Sequence, residues 1–382
     1  MTILIQDTAR NTLIKWATSA MRAGYASEAY LSPFTSPLNS TGFKKSAADT
    51  ADAIRDAGGE FWFDSMTYAL DMPRAGDFRY YADWPLWSGA QGDLGDPTAM
   101  RAHVDSVFAV QDSLGSRRLA PTVLVSYPDT PKSRQALELA QIASDVDSGT
   151  WLTVAGDQQF WGAGAELDAH VGALDQIEPA GWLFVVARND TSMPPTATPE
   201  EVFGLMRSTF ALSQDRPVRV AFGDVAALPA IAAGAESLGT GWDMRQRICA
   251  YQDFEERAGD QGGGAWYQRP TLQGLLGGVS NSEYDVLVSE QPALAAVLAP
   301  GTIAPQPEAA FRHHATVLGN EIALLTPLSG RARVEVLRQR YAAALGEWPE
   351  VQRITGTSLG PSRWIAPFAR GLDLFMASEG WT

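Results

Sequence analysis

The chain has 382 residues, of which 45% are hydrophobic and 19% charged, and its formal charge is −15. That length and apolar content suit one large barrel with an appendage, or two or three smaller domains of a soluble globular protein. The acidic balance disfavours general binding to nucleic acid or anionic membrane, and one cysteine, Cys249, excludes an internal disulfide or a multi-cysteine metal site.

The apolar stretches fall short of the roughly 20 residues a membrane helix needs, and MTILIQDTAR lacks the basic region and apolar core of a signal peptide. A cytoplasmic protein is the expectation. Along the chain, TILI predicts a short first strand, Arg10 to Gly24 a helix, and AYLSPF a second strand ended by Pro33 and Pro37. Helix Ser46 to Ala57 and strand 60–64 follow. The alternation continues with helix Pro97 to Leu114, strand 121–127, helix Lys132 to Val146, strand 150–155 and helix Ala165 to Gln176. Strand 181–187, helix Pro199 to Ser213, strand 217–222, helix Ala226 to Ala233, strand 236–239 and helix Met244 to Glu256 complete it.

Thr198-Pro199-Glu200-Glu201 and Asp96-Pro97 are helix-start signals that fix the phase of this pattern. WLTVA, WLFVVA and VRVAF are nearly continuous apolar runs, as expected of strands covered on both faces. Eight strands within 1–258 point to an α/β fold, a (β/α)8 TIM-like barrel, with an open doubly wound sheet as the alternative. Beyond it, 259–382 reads as a Gly-rich connection (GDQGGGAWYQRP) and a helical C-terminal extension with helices Glu308 to Leu325 and Arg331 to Leu345.

Six aspartates follow apolar runs: Asp64, Asp129, Asp157, Asp190, Asp224 and Asp243. Parallel barrel strands deliver their C-terminal ends to one rim, so a carboxylate-lined mouth is expected, with Asp64, Asp157, Asp224 and Asp243 as catalytic candidates. About half of the six are equally readable as helix caps or turn formers. The four histidines all fall in predicted helices and read as surface or satisfied core residues. The four lysines lie outside the strands, which disfavours imine chemistry, and no G-x-S-x-G elbow occurs. Carboxylate chemistry remains, either at a glycosidic bond or through Mg²⁺. No metal site is assigned and no cofactor is required by the sequence, although Mg²⁺ or a flavin is compatible with it. Cys249 reads as a buried, inert thiol within the helix after Arg245.

Ser65, Tyr68, Gln158, Trp161, Arg188, Asp190, Trp242 and Arg245 are the neighbouring candidates for substrate binding. The segment 68–97 reads as an aromatic lid, in which Trp84 and Trp87 would stack on a base, sugar or flavin, or alternatively plug the barrel or make an oligomer contact. Arg188, a charge ending an apolar strand, suits an anion clamp or a structural ion pair.

FGDVAALPAIAAGAESLGTGW resembles the phosphate-grip region of flavin- and sugar-phosphate-binding barrels, which implies a phosphate site at Gly223, Gly239, Thr240 and Gly241. FWFDSMTYAL resembles the strand-to-turn segment of tRNA-guanine transglycosylases through Asp64 and Ser65. That resemblance implies a catalytic aspartate and a nucleobase N-glycosidic bond, although Met66 and Thr67 stand where the family has glycines and the family's cysteine-rich zinc site cannot form. The leading expectation is an enzyme hydrolysing or exchanging a glycosidic bond of a small-molecule or sugar-containing substrate. A barrel binding a phosphorylated ligand or flavin, and a non-catalytic scaffold, are the alternatives.

Overall fold

A computed structural model of the chain describes residues 1–382 apart from 7–10, 43, 77–78, 190, 193, 242–243, 256–269, 300, 302, 304–305, 359, 361–363 and 382. Eight parallel strands form the wall: β1 (Thr2–Gln6), β2 (Ala26–Leu31), β3 (Glu60–Phe63), β4 (Leu119–Ala120), β5 (Trp151–Asp157), β6 (Gly181–Arg188), β7 (Val218–Ala221) and β8 (Ser237–Gly241). They pair in the order β3-β2-β1-β8-β7-β6-β5-β4. TILI is thus a full wall strand, in register with β8 from Thr2 opposite Ser237 to Gln6 opposite Gly241.

The seam lies between β3 and β4, where a side chain replaces the backbone ladder. The carboxamide of Gln111 donates to Phe63 O and Leu119 O, both at 2.9 Å, and accepts from Leu119 N at 3.1 Å. Ser116 Oγ accepts from Phe63 N at 2.9 Å. The fourth strand begins two residues earlier than 121–127 and breaks after Ala120, because Pro121 has no N–H to donate. It rejoins β5 at Val125, opposite Gly156.

Local capping explains where the outer helices begin. Thr198 accepts from Glu201 N ahead of α6 (Pro199–Leu212). Asp96 caps α3 (Pro97–Ser113), Thr130 and Ser133 form a capping box before α4 (Pro131–Val146), and Ser46 caps α2 (Ala47–Asp56). Each cap satisfies backbone donors that the first helical turn leaves open. Helices α1 (Asn11–Arg22), α5 (Ala165–Asp175) and α7 (Leu228–Ala233) complete the set that follows β1, β5 and β7.

The eighth outer helix comes from the C-terminal region. Helix α8 (Pro307–Leu325) packs on β1 and between α1 and α7, the place a helix after β8 would occupy. Helix α9 (Gly330–Thr355) is longer than the expected Arg331 to Leu345, and α10 (Ile365–Ser378), within the expected helical extension but not delimited there as a helix, packs on α6 and α9. Among the described residues no helix is long and apolar enough to cross a membrane.

The lower lumen holds charge inside apolar walls. Arg219 of β7 meets Glu28 of β2, with Nε 2.8 Å from both carboxylate oxygens, while Ser237 Oγ lies 3.3 Å from Glu28 Oε2. The guanidinium lies 4.2 Å from the Trp151 ring centroid and 5.1 Å from that of Trp62. β2 and β7 are not neighbours in the wall, so these side chains meet across the interior.

Candidate functional site

Asp64 stands one residue beyond β3, and its N–H still donates to Leu31 O at 3.0 Å, so its side chain continues the inward face begun by Trp62. Tyr30, the matching inward residue of β2, donates its phenol to Asp64 Oδ2. Tyr68 donates to the same oxygen at 3.1 Å, and the two phenol oxygens are 3.3 Å apart. Met66 N donates to Asp64 Oδ1 at 2.8 Å. Met66 adopts φ 47°, the left-handed region that costs an L-residue about 1 kcal/mol, and this tight turn returns Tyr68 towards the carboxyl.

Asp64 is 2% exposed. Burial pushes its carboxyl above the ordinary carboxylate range, and hydrogen bonds from Tyr30, Met66 N and Tyr68 offset that only in part. Burial first, and then the charge of Asp64, push both phenols upward. The result is a carboxyl able to act as acid or, once ionised, as a strongly held anion facing phenolic donors.

The same turn carries a second hydrogen-bonded series. Ser65 Oγ lies 3.0 Å from Thr67 Oγ1, Thr67 Oγ1 lies 2.8 Å from His103 Nε2, and His103 Nδ1 lies 2.7 Å from Leu86 O. Trp87 lies flat on His103, with centroids 3.7 Å apart and planes 9° from parallel. Burial lowers the pKa of His103 to about 4, so the ring is neutral at ordinary pH.

The mouth is roofed where the loop after β3 meets the segment after β8. Of the expected Met244 to Glu256 helix, the described residues keep one α-helical turn at Met244–Arg247 and a 3-10 turn at Tyr251–Asp253. Cys249–Ala250 instead pairs with Ala187 and Arg188 at the top of β6, beyond the end of β7. Gly76 N donates to Phe254 O at 2.9 Å, Ala75 bridges to Glu255, and Arg74 pairs with Glu255 at 2.5 Å. Cys249 is therefore a strand residue rather than a helical one. Burial raises its thiol, with Asp253 and Asp64 adding to the effect.

The other aspartates have local employment. Asp157 caps the short helix Gln158–Trp161 through Gln159 N and Phe160 N, and its second oxygen accepts from Tyr251 at 3.2 Å. Asp129 is an exposed turn residue at φ 55°, paired with Arg134. Asp224, fully buried, accepts from Thr240 at 2.6 Å and His314 Nε2 at 2.9 Å, with Arg247 Nε at 3.8 Å. Burial alone would raise this carboxyl, but His314, Arg247 and Thr240 outweigh it and hold it well below the usual range. Burial and Arg247 keep His314 low against the pull of Asp224. His314 also binds Thr271 through Nδ1 at 2.8 Å, while its Nε2 contacts with Asp224 and Thr240 tie α8 to the barrel.

Several substrate-binding candidates face the helix layer instead of the mouth. Arg188 pairs with Glu201 of α6 at 2.6 Å, and Gln158 donates to Glu201 and to Thr196 O, both at 2.9 Å. Trp161 is fully buried, its indole donating to Gly156 O and Val185 O. Trp84 packs on Phe63 with centroids 4.7 Å apart and donates to Ser36 O. Trp87 is half-buried and Ser65 buried, both in the His103 series. Asp190, Trp242 and Asp243 lie outside the described residues, as does the Arg245 side chain.

Among the phosphate candidates, glycine serves close packing. A Cβ on Gly239 would lie 2.6 Å from Gln6 Oε1 and 2.8 Å from Phe222 N, one on Gly241 2.2 Å from Gln246 Cβ, and one on Gly223 2.4 Å from Ala227 Cβ. Thr240 is committed to Asp224, whose negative charge opposes a phosphate. Tyr30, His103 and His314 escape the motif-based reading. The signal for Tyr30 was its parity with the inward-facing Glu28, whereas nothing local marks either histidine. Among the described residues no group of three or more His, Cys, Asp or Glu is arranged to hold a metal ion. A cavity of about 790 Å³, bordered by Glu28, Arg219, Ser237, Arg333 and Trp381, opens at the opposite, N-terminal end of the strands.

No protein-family model matches the chain, and no curated protein does. Among solved structures, a psychrophilic glycoside hydrolase family 10 endo-β-1,4-xylanase is similar at 10% identity, over 62% of this chain and 85% of that one, with a TM-score of 0.38. An L-ribulose 3-epimerase matches at 10% identity, over 85% and 95%, also with a TM-score of 0.38. A probable tagatose 6 phosphate kinase from Sinorhizobium meliloti 1021 matches at 12% identity, over 100% and 99%, with a TM-score of 0.37. None of these three is a tRNA-guanine transglycosylase. The barrel assignment rests on the strand order itself, and no chemistry is carried over at this level of likeness.

Proposed function

We propose that the protein is an enzyme that hydrolyses or exchanges a glycosidic bond in a small, sugar-containing substrate, with Asp64 as its central carboxyl. The observation that carries this reading is a buried carboxyl at the C-terminal end of a barrel strand, held by Tyr30, Tyr68 and Met66 N. Ionised, Asp64 would attack or stabilise the cationic sugar carbon that develops as the bond breaks, and the two phenols would hold it in line. Protonated, it would supply the leaving group's proton. Asp157, at the end of β5 and bound to Tyr251, is the second carboxylate this chemistry calls for among the described residues. The resemblance of the Asp64-Ser65 turn to tRNA-guanine transglycosylases extends the substrate class to nucleobase glycosides, while the acidic chain favours a small molecule over a polyanion.

The test is a panel of O- and N-glycosides assayed with wild type and D64N, together with 2-fluoroglycosides that trap a covalent sugar ester. Turnover lost in D64N with an unchanged near-UV CD spectrum, and a trapped adduct on the Asp64 peptide, support the nucleophile role. Equal turnover by D64N removes Asp64 from the mechanism. A non-catalytic scaffold is favoured by one observation, the complete internal use of Trp84 and Asp224; inactivity of wild type across the whole panel would support it.

A further inference from the structure

The geometry points to His103 as a positioning residue that, through Thr67 and Ser65, ties the turn bearing Asp64 to the loop at Leu86–Trp87. This inference rests on the reading of Asp64 as the reacting carboxyl. The direction of the series follows from elementary donor and acceptor roles. Leu86 O can only accept, so His103 Nδ1 carries the proton. In a neutral ring Nε2 then has a lone pair and accepts from the Thr67 hydroxyl, 2.8 Å away. With its proton so committed, Thr67 can only accept from Ser65. Each hydrogen bond in the series then has one direction, and the burial that keeps His103 uncharged preserves that polarity.

The two hydroxyls flank Met66, whose N–H holds Asp64 Oδ1 and whose backbone is in the strained left-handed region. A turn with such a backbone persists only where its surroundings over-determine it. Here that constraint comes from α3, which carries His103, and from the loop after β3, which carries both Leu86 O and the indole stacked on the imidazole. Displacing Leu86–Trp87 removes the Nδ1 acceptor and the stack together, and frees the ring to take the other tautomer. Thr67 then loses its acceptor and the Asp64 turn its clamp.

The experiment uses the intact protein labelled with 15N-histidine, because four histidines give a readable long-range 15N–1H spectrum. The His103 signals are assigned by their loss in H103N. The expected wild-type spectrum shows His103 as the Nδ1–H tautomer with a hydrogen-bonded Nε2, and T67V shifts that Nε2 alone. On a glycoside whose turnover depends on Asp64, T67V lowers kcat about tenfold, the worth of one neutral hydrogen bond, with KM changed by less than about twofold, and T67S restores it. An Nε2–H tautomer in the unmodified protein overturns the proposal whether or not T67V folds. So does a T67V enzyme with wild-type kcat beside an inactive D64N. If D64N is itself fully active, the Asp64 reading fails first and this inference with it.

Discussion

Tyr30 and Asp64 come from neighbouring strands, 34 positions apart in the chain, and the phenol donates to a carboxyl that is cut off from solvent. Replacing Tyr30 with Phe keeps the burial and removes one bond that favours the charged form. Asp64 therefore titrates higher still, and the acid limb of a pH–rate profile moves to higher pH. A charge-assisted hydrogen bond of this kind corresponds to about 10- to 100-fold in kcat/KM. The pH–rate profiles of wild type and Y30F decide the point; superimposable limbs would remove Tyr30 from the site.

Asp64 also makes stability depend on pH with a definite sign. Its folded pKa lies above the unfolded value of 3.8, so between the two the native state holds a proton that the unfolded chain has released. Stability falls as pH rises through that window, and the cost persists above it. D64N lacks this penalty. Urea unfolding at pH 3 and pH 7 should show D64N gaining on wild type at the higher pH, and an equal difference at both would contradict the raised pKa.

Gln111 closes the barrel seam, so Gln111→Leu strands the carbonyls of Phe63 and Leu119 and the N–H of Leu119 without partners. Each buried orphan costs about 1–3 kcal/mol, and a loss of about 3 kcal/mol is expected. Denaturant unfolding measures it, and faster hydrogen exchange at Leu119 would localise the damage to the seam.

Asp224 is shifted the opposite way from Asp64. Its depressed carboxyl stabilises the fold above the ordinary carboxylate range, and that contribution is lost as pH falls towards the folded pKa. Asp224→Ala leaves Thr240 and His314 without their shared acceptor and should cost about 3 kcal/mol at pH 7, less at pH 3. Exchange-protected amides of α8 should open first, because His314 is its polar tie to the barrel.

Arg188 and Glu201 offer a test of structure against binding. Removing the arginine alone leaves a buried carboxylate and should cost about 3–5 kcal/mol, whereas R188M with E201L together should cost far less. An R188A protein of normal stability that no longer binds an anionic substrate would restore Arg188 as a clamp.

The alternation of strands and helices is legible in the chain because its causes act over a few positions. Thr198 with Glu201, Asp96 with Thr98, and the runs WLTVA and WLFVVA each carry their own cap or apolar period. Asp64 is legible for the same reason, as a carboxyl placed directly after an apolar strand. Local signals fail where a distant neighbour changes the outcome. Cys249 lies in a stretch that predicts a helix, yet the free edge at the top of β6 draws it into a strand. Helix α8 looks like an appendage until β1 and α7 leave it the eighth position in the ring.

The partners of each polar group lie beyond any local pattern. Glu28 and Arg219 are 191 positions apart, Asp224 and His314 are 90, and Thr67 and His103 are 36. Strand register and barrel closure set which side chains share the lumen, the mouth or the helix layer. The residues dictate the alternation of elements and the presence of acids at strand ends. Folding alone separates Asp64, held by phenols in the mouth, from Asp224, whose charge is spent on a tether to His314.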